Sequence, residues 1–396
     1  MTHRIVVAGA GYAGLTAATR LAWQLRGEAD ITLVNARDSF VERVRLHQIA
    51  AGQRLPAYAL STFTTAQAIQ LRIGQITALC PDDNELEVES TLGVERIRYD
   101  TLVYALGSMA DTELVSGVAA HAYTLAQLGP ARVARNRILE VAAELGTIAV
   151  VGAGATGIEA ATEIAESYPG SRVELLSDQE PGWWLSDRAR SHLDKAFSRL
   201  GVVVRAGVAV ESVGPDRLAL ADGSVVRADV TLWATGFRVP TVAADAGMAV
   251  DGNGRILVDA GLRSISYPNI YAVGDAALAR TPAGAPVRMG CGTGMPQSIY
   301  AADAISAYLT GRSVSPLRFR YYAQNLSLGR RDALIQILHS DDRPRSSVIT
   351  GRTAALIKEG AVRSTIWAAR SPLLDGGPRR RASLPANIQT EVAARV

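Results

Sequence analysis

Residues 5–22 read IVVAGAGYAGLTAATRLA, and residues 148–165 read IAVVGAGATGIEAATEIA. One phosphate-binding fingerprint therefore occurs twice. In each copy an apolar, β-branched run leads into glycines at G-x-G-x-x-G spacing: Gly9, Gly11 and Gly14, then Gly152, Gly154 and Gly157. The run predicts a buried parallel strand. The first glycine permits a tight turn, the second lets backbone approach a pyrophosphate, and the third lets the next helix pack closely on the strand. That helix, Leu15–Leu25 in the first copy, aims free N–H groups and the positive end of its dipole at the phosphates. A second strand-like run follows each copy, ITLVNARD from Ile31 and VELLSDQE from Val173. Ile148 follows Ile5 by 143 residues and Val173 follows Ile31 by 142, so the two copies share their internal spacing. Two dinucleotide sites on one chain imply two nucleotides that exchange electrons.

The position closing the second strand commonly holds an acid that binds a ribose hydroxyl. Here Asn35 and Ser177 occupy it. Asn35 retains the ability to hydrogen-bond a ribose. Ser177 removes the carboxylate that would repel a 2′-phosphate, whereas Asp178 and Glu180 oppose one. NADH is favoured, and NADPH stays open.

The chain of 396 residues is long enough for two or three domains. A net charge of +3, with few aromatics and no basic stripe, gives no sign of nucleic acid. The sequence has no apolar run of the ~18–20 residues that a spanning helix needs. The Arg4 region could pass for a signal peptide, but strand, glycine turn and helix explain it better. The expected location is cytoplasmic, with association at the cytoplasmic membrane face left open. Cys80 and Cys291 are the two cysteines, and the five histidines are scattered without metal-ligand spacing. No disulfide framework and no metal site are expected.

The pattern along the chain predicts an α/β fold. It has two Rossmann-like dinucleotide-binding domains, the second inserted in the first, and a C-terminal α+β region. Strand-like alternation runs over Leu71–Val88 and Glu95–Leu106, with a turn near Pro81–Asn84. The first unit closes on Tyr99–Ser108, a buried strand entering a small glycine turn. Thr124–Leu145 reads as a helix joining the units. Trp233-Ala234-Thr235-Gly236 mirrors Ala105–Ser108, a third correspondence between the halves. Ile270–Ala277 is again strand, glycine and acid, followed by a helix over Gln297–Leu309. Gly351–Arg370 predicts an amphipathic helix with Ala354, Ile357, Ala361 and Trp367 among Arg352, Lys358, Arg363 and Arg370, expected to pack on the first unit rather than on a membrane. The expected domains are 1–115 with 247–312, 116–246 and 313–375, then a flexible, solvated tail over 376–396.

GAGYAG, YALGS, GAGATGIEAA, WATGF and NIYAVGDAA, in this order, resemble the flavoproteins with two dinucleotide-binding domains, over about the first three quarters of the chain. That superfamily includes glutathione reductase, ferredoxin reductases and type II NADH dehydrogenases. The resemblance implies FAD on the first fingerprint and the late Gly274-Asp275 motif, with Asn35 in place of the usual ribose-binding acid. It implies NADH or NADPH on Gly152, Gly154 and Gly157. Tyr12, Ala13, Ala78, Ala105 and Gly107 complete the candidate cofactor contacts on the first side, and Thr156, Ser177 and Gly236 on the second. It also implies Glu159 near the nicotinamide carboxamide, although a helix-favoured acid is the competing reading.

Disulfide reductases carry a C-x(4)-C or related dithiol in the segment that here reads Phe40–Gln48, which has no cysteine. The stretch Val41–Gly52 instead resembles type II NADH dehydrogenases. On that resemblance Arg43 pairs with an FAD phosphate and His47 lies near flavin or acceptor, or simply packs. Gln297 borders the acceptor pocket, and backbone N–H groups around Pro296–Ser298 face the flavin pyrimidine edge. The paired-glutamine motif of those enzymes is altered here, so the acceptor is a quinone or another small molecule. The expected activity is an FAD-dependent NAD(P)H dehydrogenase. The alternatives are a soluble oxidoreductase for one small organic substrate and a redox-sensing flavoprotein. A homodimer stays open.

Overall fold

The computed structural model describes residues 2–370. The expected tail over 376–396 lies outside them. Each fingerprint begins on a fully paired parallel strand. In the first unit these are β1 (His3–Ala8), β2 (Ala29–Asn35), β3 (Gln70–Ile73) and β4 (Thr101–Tyr104). In the second they are β5 (Ala122–Thr124), β6 (Thr147–Val151), β7 (Arg172–Leu176), β8 (Val203–Arg205) and β9 (Val230–Trp233). Strand β10 (Ile270–Ala272) follows the whole second unit in sequence yet hydrogen-bonds to β4. The first sheet thus has the order β10-β4-β1-β2-β3, and the second the order β5-β9-β6-β7-β8. Both are parallel throughout. The second unit is inserted in the first, as the motif order predicts.

The glycine turns repeat closely. Gly9 and Gly152 have φ of +99° and +102°, and their N–H groups donate to the Val34 and Leu176 carbonyls, both at 2.8 Å. A Cβ on Gly14 would collide with the Gly9 carbonyl oxygen, and one on Gly157 with that of Gly152. Helices α1 (Tyr12–Gln24) and α4 (Ala155–Ser167) therefore start against the turn itself. Burial follows: Ile5, Val7, Leu15, Leu21 and Leu33 belong to the first core, and Ile148, Val150, Ile158, Ile164 and Leu175 to the second.

Two of the later helices have other bounds than the sequence reading gives. The connecting helix is α3 (Leu128–Ala143), because Ala122–Thr124 pairs with β9 as an edge strand. Pro130 then falls in its first turn, where a missing N–H costs nothing. The helix expected over Gln297–Leu309 starts earlier, as α6 (Cys291–Leu309). Pro296 sits inside it because Pro296 and Gly292 are both exposed, so water can satisfy the Gly292 carbonyl that Pro296 leaves unbonded. The positive end of the α6 dipole consequently lies near Gly290–Gly294, not at Pro296–Ser298.

The C-terminal region is an antiparallel sheet, β11 (Ala323–Ser327), β12 (Ala333–Leu338) and β13 (Pro344–Thr350), followed by α7 (Gly351–Arg370). Helix α7 packs against β12 and α1, with Ala354, Ile366 and Ala369 buried. Ile357 and Trp367, read as packing residues, are 47% and 60% exposed beside Leu356 at 74%. Of the apolar positions read from sequence, Ala354 is buried and Ala361 is exposed, and the rest of the buried face runs through Ile366 and Ala369.

The glycine contacts give a direct check. Gly14→Ala and Gly157→Ala should each cost about 1–3 kcal/mol from forced overlap with backbone. Gly252→Ala, where a Cβ meets nothing within 4 Å, should be neutral. Thermal unfolding of the three variants followed by circular dichroism tests the ranking.

Candidate cofactor and electron-transfer site

Both glycine turns open onto one cavity of about 560 Å³ at the C-terminal ends of the strands. Gly11, Tyr12 and Ala13 form one side, and Gly154, Ala155 and Thr156 face it from the other. A Cβ on Gly11 or Gly154 would meet nothing within 4 Å, so the lining there is cut back to backbone at the start of a helix. That fits a pyrophosphate on each side. Ala105, Gly107 and Gly236 also line the cavity, and both of these glycines have φ of +70°. Gly9, Gly14, Gly152 and Gly157 stand behind the lining and shape the turns.

On the first side, Asp275 is the hub. Its carboxylate accepts the Gly290 N–H and the Ser108 hydroxyl, each at 2.7 Å. Arg43 Nη1 lies 3.6 Å from it, and Arg43 Nη2 donates to Ser108 Oγ at 3.3 Å. Gln297 is buried, and its Oε1 accepts the Gly274 N–H at 3.0 Å. It anchors the Gly-Asp turn from behind and does not line the cavity. Asn35 Oδ1 accepts the Ala10 N–H at 2.9 Å while Nδ2 donates to the Arg37 carbonyl at 2.8 Å. Its oxygen thus braces the fingerprint turn, and its amide nitrogen braces the loop that follows β2. Ala78 sits in the Gln75–Cys80 strand at a bulge, and neither it nor Pro296 lines the cavity. On the second side, Ser177 Oγ accepts the Gln179 N–H at 3.2 Å and so closes a local turn.

The loop after β7 contributes Trp183 and Trp184, packed edge to face with ring centroids 5.9 Å apart, and both line the cavity. Sequence reasoning passed over them; adjacent tryptophans after Pro181-Gly182 were the available signal. Cys291 also lines the cavity. Burial, then the charge of Asp275, pushes its thiol above the ordinary cysteine range.

Glu159 and His47 belong to a neighbouring buried cluster outside this cavity lining. Glu159 pairs with Lys358 of α7 and accepts the Ser327 N–H at 3.0 Å. His47 Nδ1 lies 3.7 Å from Glu159. Burial pushes the Glu159 carboxyl up, but Lys358, His47 and the Ser327 N–H together hold it below the usual carboxylate range. Burial lowers His47 to about 4, with Lys358 and Arg45 adding to the fall, so the imidazole is neutral at pH 7. Its Nε2 is buried without a hydrogen-bond partner among the described residues. Lys358 was legible only as a polar position on an amphipathic helix, because its partner is 199 residues away.

One turn beyond Glu159, Glu163 was missed altogether. Its Oε1 accepts from Gln53 at 3.2 Å and lies 3.6 Å from Arg330 Nη1. Burial raises Glu163 to about 7, with Arg330 opposing and Glu166 and Glu159 reinforcing the rise.

A family model for pyridine nucleotide-disulphide oxidoreductases matches residues 3–304. The chain belongs to that family. It is an FAD-dependent NAD(P)H oxidoreductase of the family, although the segment where dithiol members carry their cysteines has none. An NADH dehydrogenase-like protein of Mycobacterium tuberculosis is 28% identical, over 90% of this chain and 92% of the relative. A type II NADH:quinone oxidoreductase of Staphylococcus haemolyticus is 27% identical, over 90% of this chain and 93% of the relative. Among solved structures, NDH2 of Plasmodium falciparum in complex with NADH superposes with a TM-score of 0.80 at 14% identity, covering 93% of this chain and 96% of that one. At that identity the likeness establishes the fold.

The raised Glu163 carboxyl makes a pH prediction. Its folded value of about 7 exceeds the ordinary 4.5, so its favourable contribution is complete below about pH 4.5 and is lost as pH rises through about 7. Glu163→Gln should therefore gain thermal stability relative to the unmodified protein between about pH 5 and pH 8, by an amount on the order of 1–3 kcal/mol. Parallel melting curves across that range measure it; a constant difference at all pH values would refute it.

Proposed function

We propose that the chain is a type II-like NAD(P)H dehydrogenase that passes electrons to a quinone or another small acceptor. FAD takes the Gly9–Gly14 turn with Arg43, Asp275 and the α6 N-terminus, and NAD(P)H takes the Gly152–Gly157 turn. The observation that carries this reading is that both turns open onto one cavity. Bound FAD would accept a hydride from the nicotinamide. The chain's own contribution is to hold the two rings together, exclude water and neutralise phosphate charge. Arg43 and the N–H groups of α1 and α6 supply positive potential on the flavin side, where charge develops on reduction. Glu159, held ionised by Lys358, fixes the loop at Ser327 and the C-terminal helix beside this site. Gln297 acts through Gly274, and neutral His47 packs against Glu159. The relatives named for quinone chemistry support a quinone acceptor here.

No helix among the described residues is long and apolar enough to cross a membrane. The exposed Ile357 and Trp367 on α7 support peripheral contact by a cytoplasmic protein with the membrane surface.

The test is an anaerobic absorbance titration with NADH and, separately, NADPH. The flavin bands should bleach with one of them, and a menaquinone analogue should restore them. A Gly154→Val variant should keep its flavin and lose the bleaching, whereas Gly11→Val should lose the flavin. Flavin that neither nucleotide reduces would overturn the assignment.

A further inference from the structure

Behind the cofactor cavity lies a second one of about 530 Å³, between α7, the Arg43–Ala50 segment, α4 and the β11–β12 turn. Val44 lines both cavities, so its side chain stands between them. Lys358, which pairs with Glu159, lines the second cavity too, and its charge is felt by Cys291 in the first. A molecule in the second cavity is therefore close to the redox centre.

The chemistry of this cavity is unusual for an apolar acceptor. Its lining holds six cations, Arg45, Arg330, Arg331, Arg352, Lys358 and Arg363, against three carboxylates, Glu163, Asp332 and Glu359. Most of these charges are already committed. Arg45 pairs with Glu42 and Glu359. Arg363 pairs with Glu359, Lys358 with Glu159, and Arg330 with Glu163. Asp332 is held by His192 and Arg199 at 2.8 Å each. Arg331 and Arg352 alone among the six have no carboxylate partner among the described residues. Arg352 also occupies the first turn of α7, which contains no acid, so two guanidinium groups and a helix N-terminus present positive charge at one rim. Glu163 is 1% exposed and lies 3.6 Å from Arg330, so its carboxyl is withdrawn from what enters the cavity. Leu356, Val362 and Ala355 supply an apolar strip that suits an aromatic ring and is short for a long hydrocarbon tail.

We propose that the second cavity is the acceptor site and that the preferred acceptor is an anionic aromatic quinone, whose ring lies toward Val44 and whose carboxylate, sulfonate or ionised hydroxyl is held by Arg331 and Arg352. This rests on the dehydrogenase reading above. Reduction of the quinone takes up two electrons and two protons and turns both ring carbonyls into hydroxyls. NAD(P)H supplies the two electrons and one proton as hydride, becoming NAD(P)⁺, and solvent supplies the other proton.

The experiment compares 1,4-naphthoquinone-2-sulfonate with neutral 2-methyl-1,4-naphthoquinone in steady-state turnover, using the flavin-loaded full chain and its Arg331→Ala/Arg352→Ala variant. Both positions are exposed, and a melting curve verifies that the variant folds. The variant should lose about tenfold in kcat/KM for the sulfonate, mainly through KM, the size expected for two rim contacts to an anion. Turnover of the neutral quinone should change less than about twofold, since it makes no charge contact at that rim. High salt should weaken sulfonate turnover in the unmodified protein and have little effect in the variant. Equal losses for both quinones, or none for either, overturn the proposal. Anaerobic bleaching of the flavin by NAD(P)H is measured in the same preparations. If bleaching fails, the dehydrogenase reading is wrong; if bleaching is normal and the sulfonate loss is absent, only the anionic-acceptor proposal is wrong.

Discussion

Close backbone contact at the glycine turns sets the geometry on which the rest of the molecule depends. Gly9 approaches so near the end of β4 that a Cβ would stand 2.5 Å from the Ala105 carbonyl oxygen, and Gly152 would place one 3.0 Å from the Ala234 carbonyl carbon at the end of β9. Because strand, turn and helix touch without side chains between them, the N-termini of α1 and α4 are fixed relative to their sheets. The free N–H groups at those termini can then face the cavity with little freedom to move. Had either contact been padded by a methyl group, the helix would be displaced and the phosphate cradle with it.

The C-terminal region is bound into this arrangement through the buried Glu159–Lys358 pair. Its side chains are only 11% and 14% exposed. A pair of this kind is weak evidence of net stabilisation, yet removal of one partner strands the other charge, at a cost of about 3–5 kcal/mol. The same carboxylate receives the Ser327 N–H from the edge of the C-terminal sheet. Helix α7 and its sheet meet the rest of the chain at several charged points, this buried pair together with Arg45–Glu359, Arg330–Glu163 and Asp332 with His192 and Arg199. This coupling gives the wall of the second cavity a defined position, since that wall includes α7 and the β11–β12 turn.

Local contacts were readable from sequence, and distant ones were not. The duplicated fingerprints predicted both sheets, both helices and the inserted order because each signal lies within about 30 residues of chain. Gly274 and Asp275 were readable for the same reason. The roles of Glu159, Gln297 and Asn35 depend on what stands across from each side chain. Glu159 meets a lysine far along the chain, Gln297 meets the Gly274 N–H behind the cavity wall, and Asn35 meets the Ala10 N–H of the fingerprint turn. Pro296 misled the reading of a helix start because a proline is tolerated within a helix when its orphaned carbonyl can reach water. Trp183 and Trp184 carried no periodic pattern, and only the fold brings them to the cavity.

Those tryptophans have an optical consequence. The chain has five tryptophans, and Trp183, Trp184 and Trp233 line the cofactor cavity. Most of the indole fluorophores are thus gathered where two light-absorbing nucleotides would lie. Energy transfer from indole to flavin or reduced nicotinamide is efficient at such short range, so the protein carries its own reporter of occupancy. Trp23 and Trp367, elsewhere in the chain, leave a residual emission against which that signal can be read.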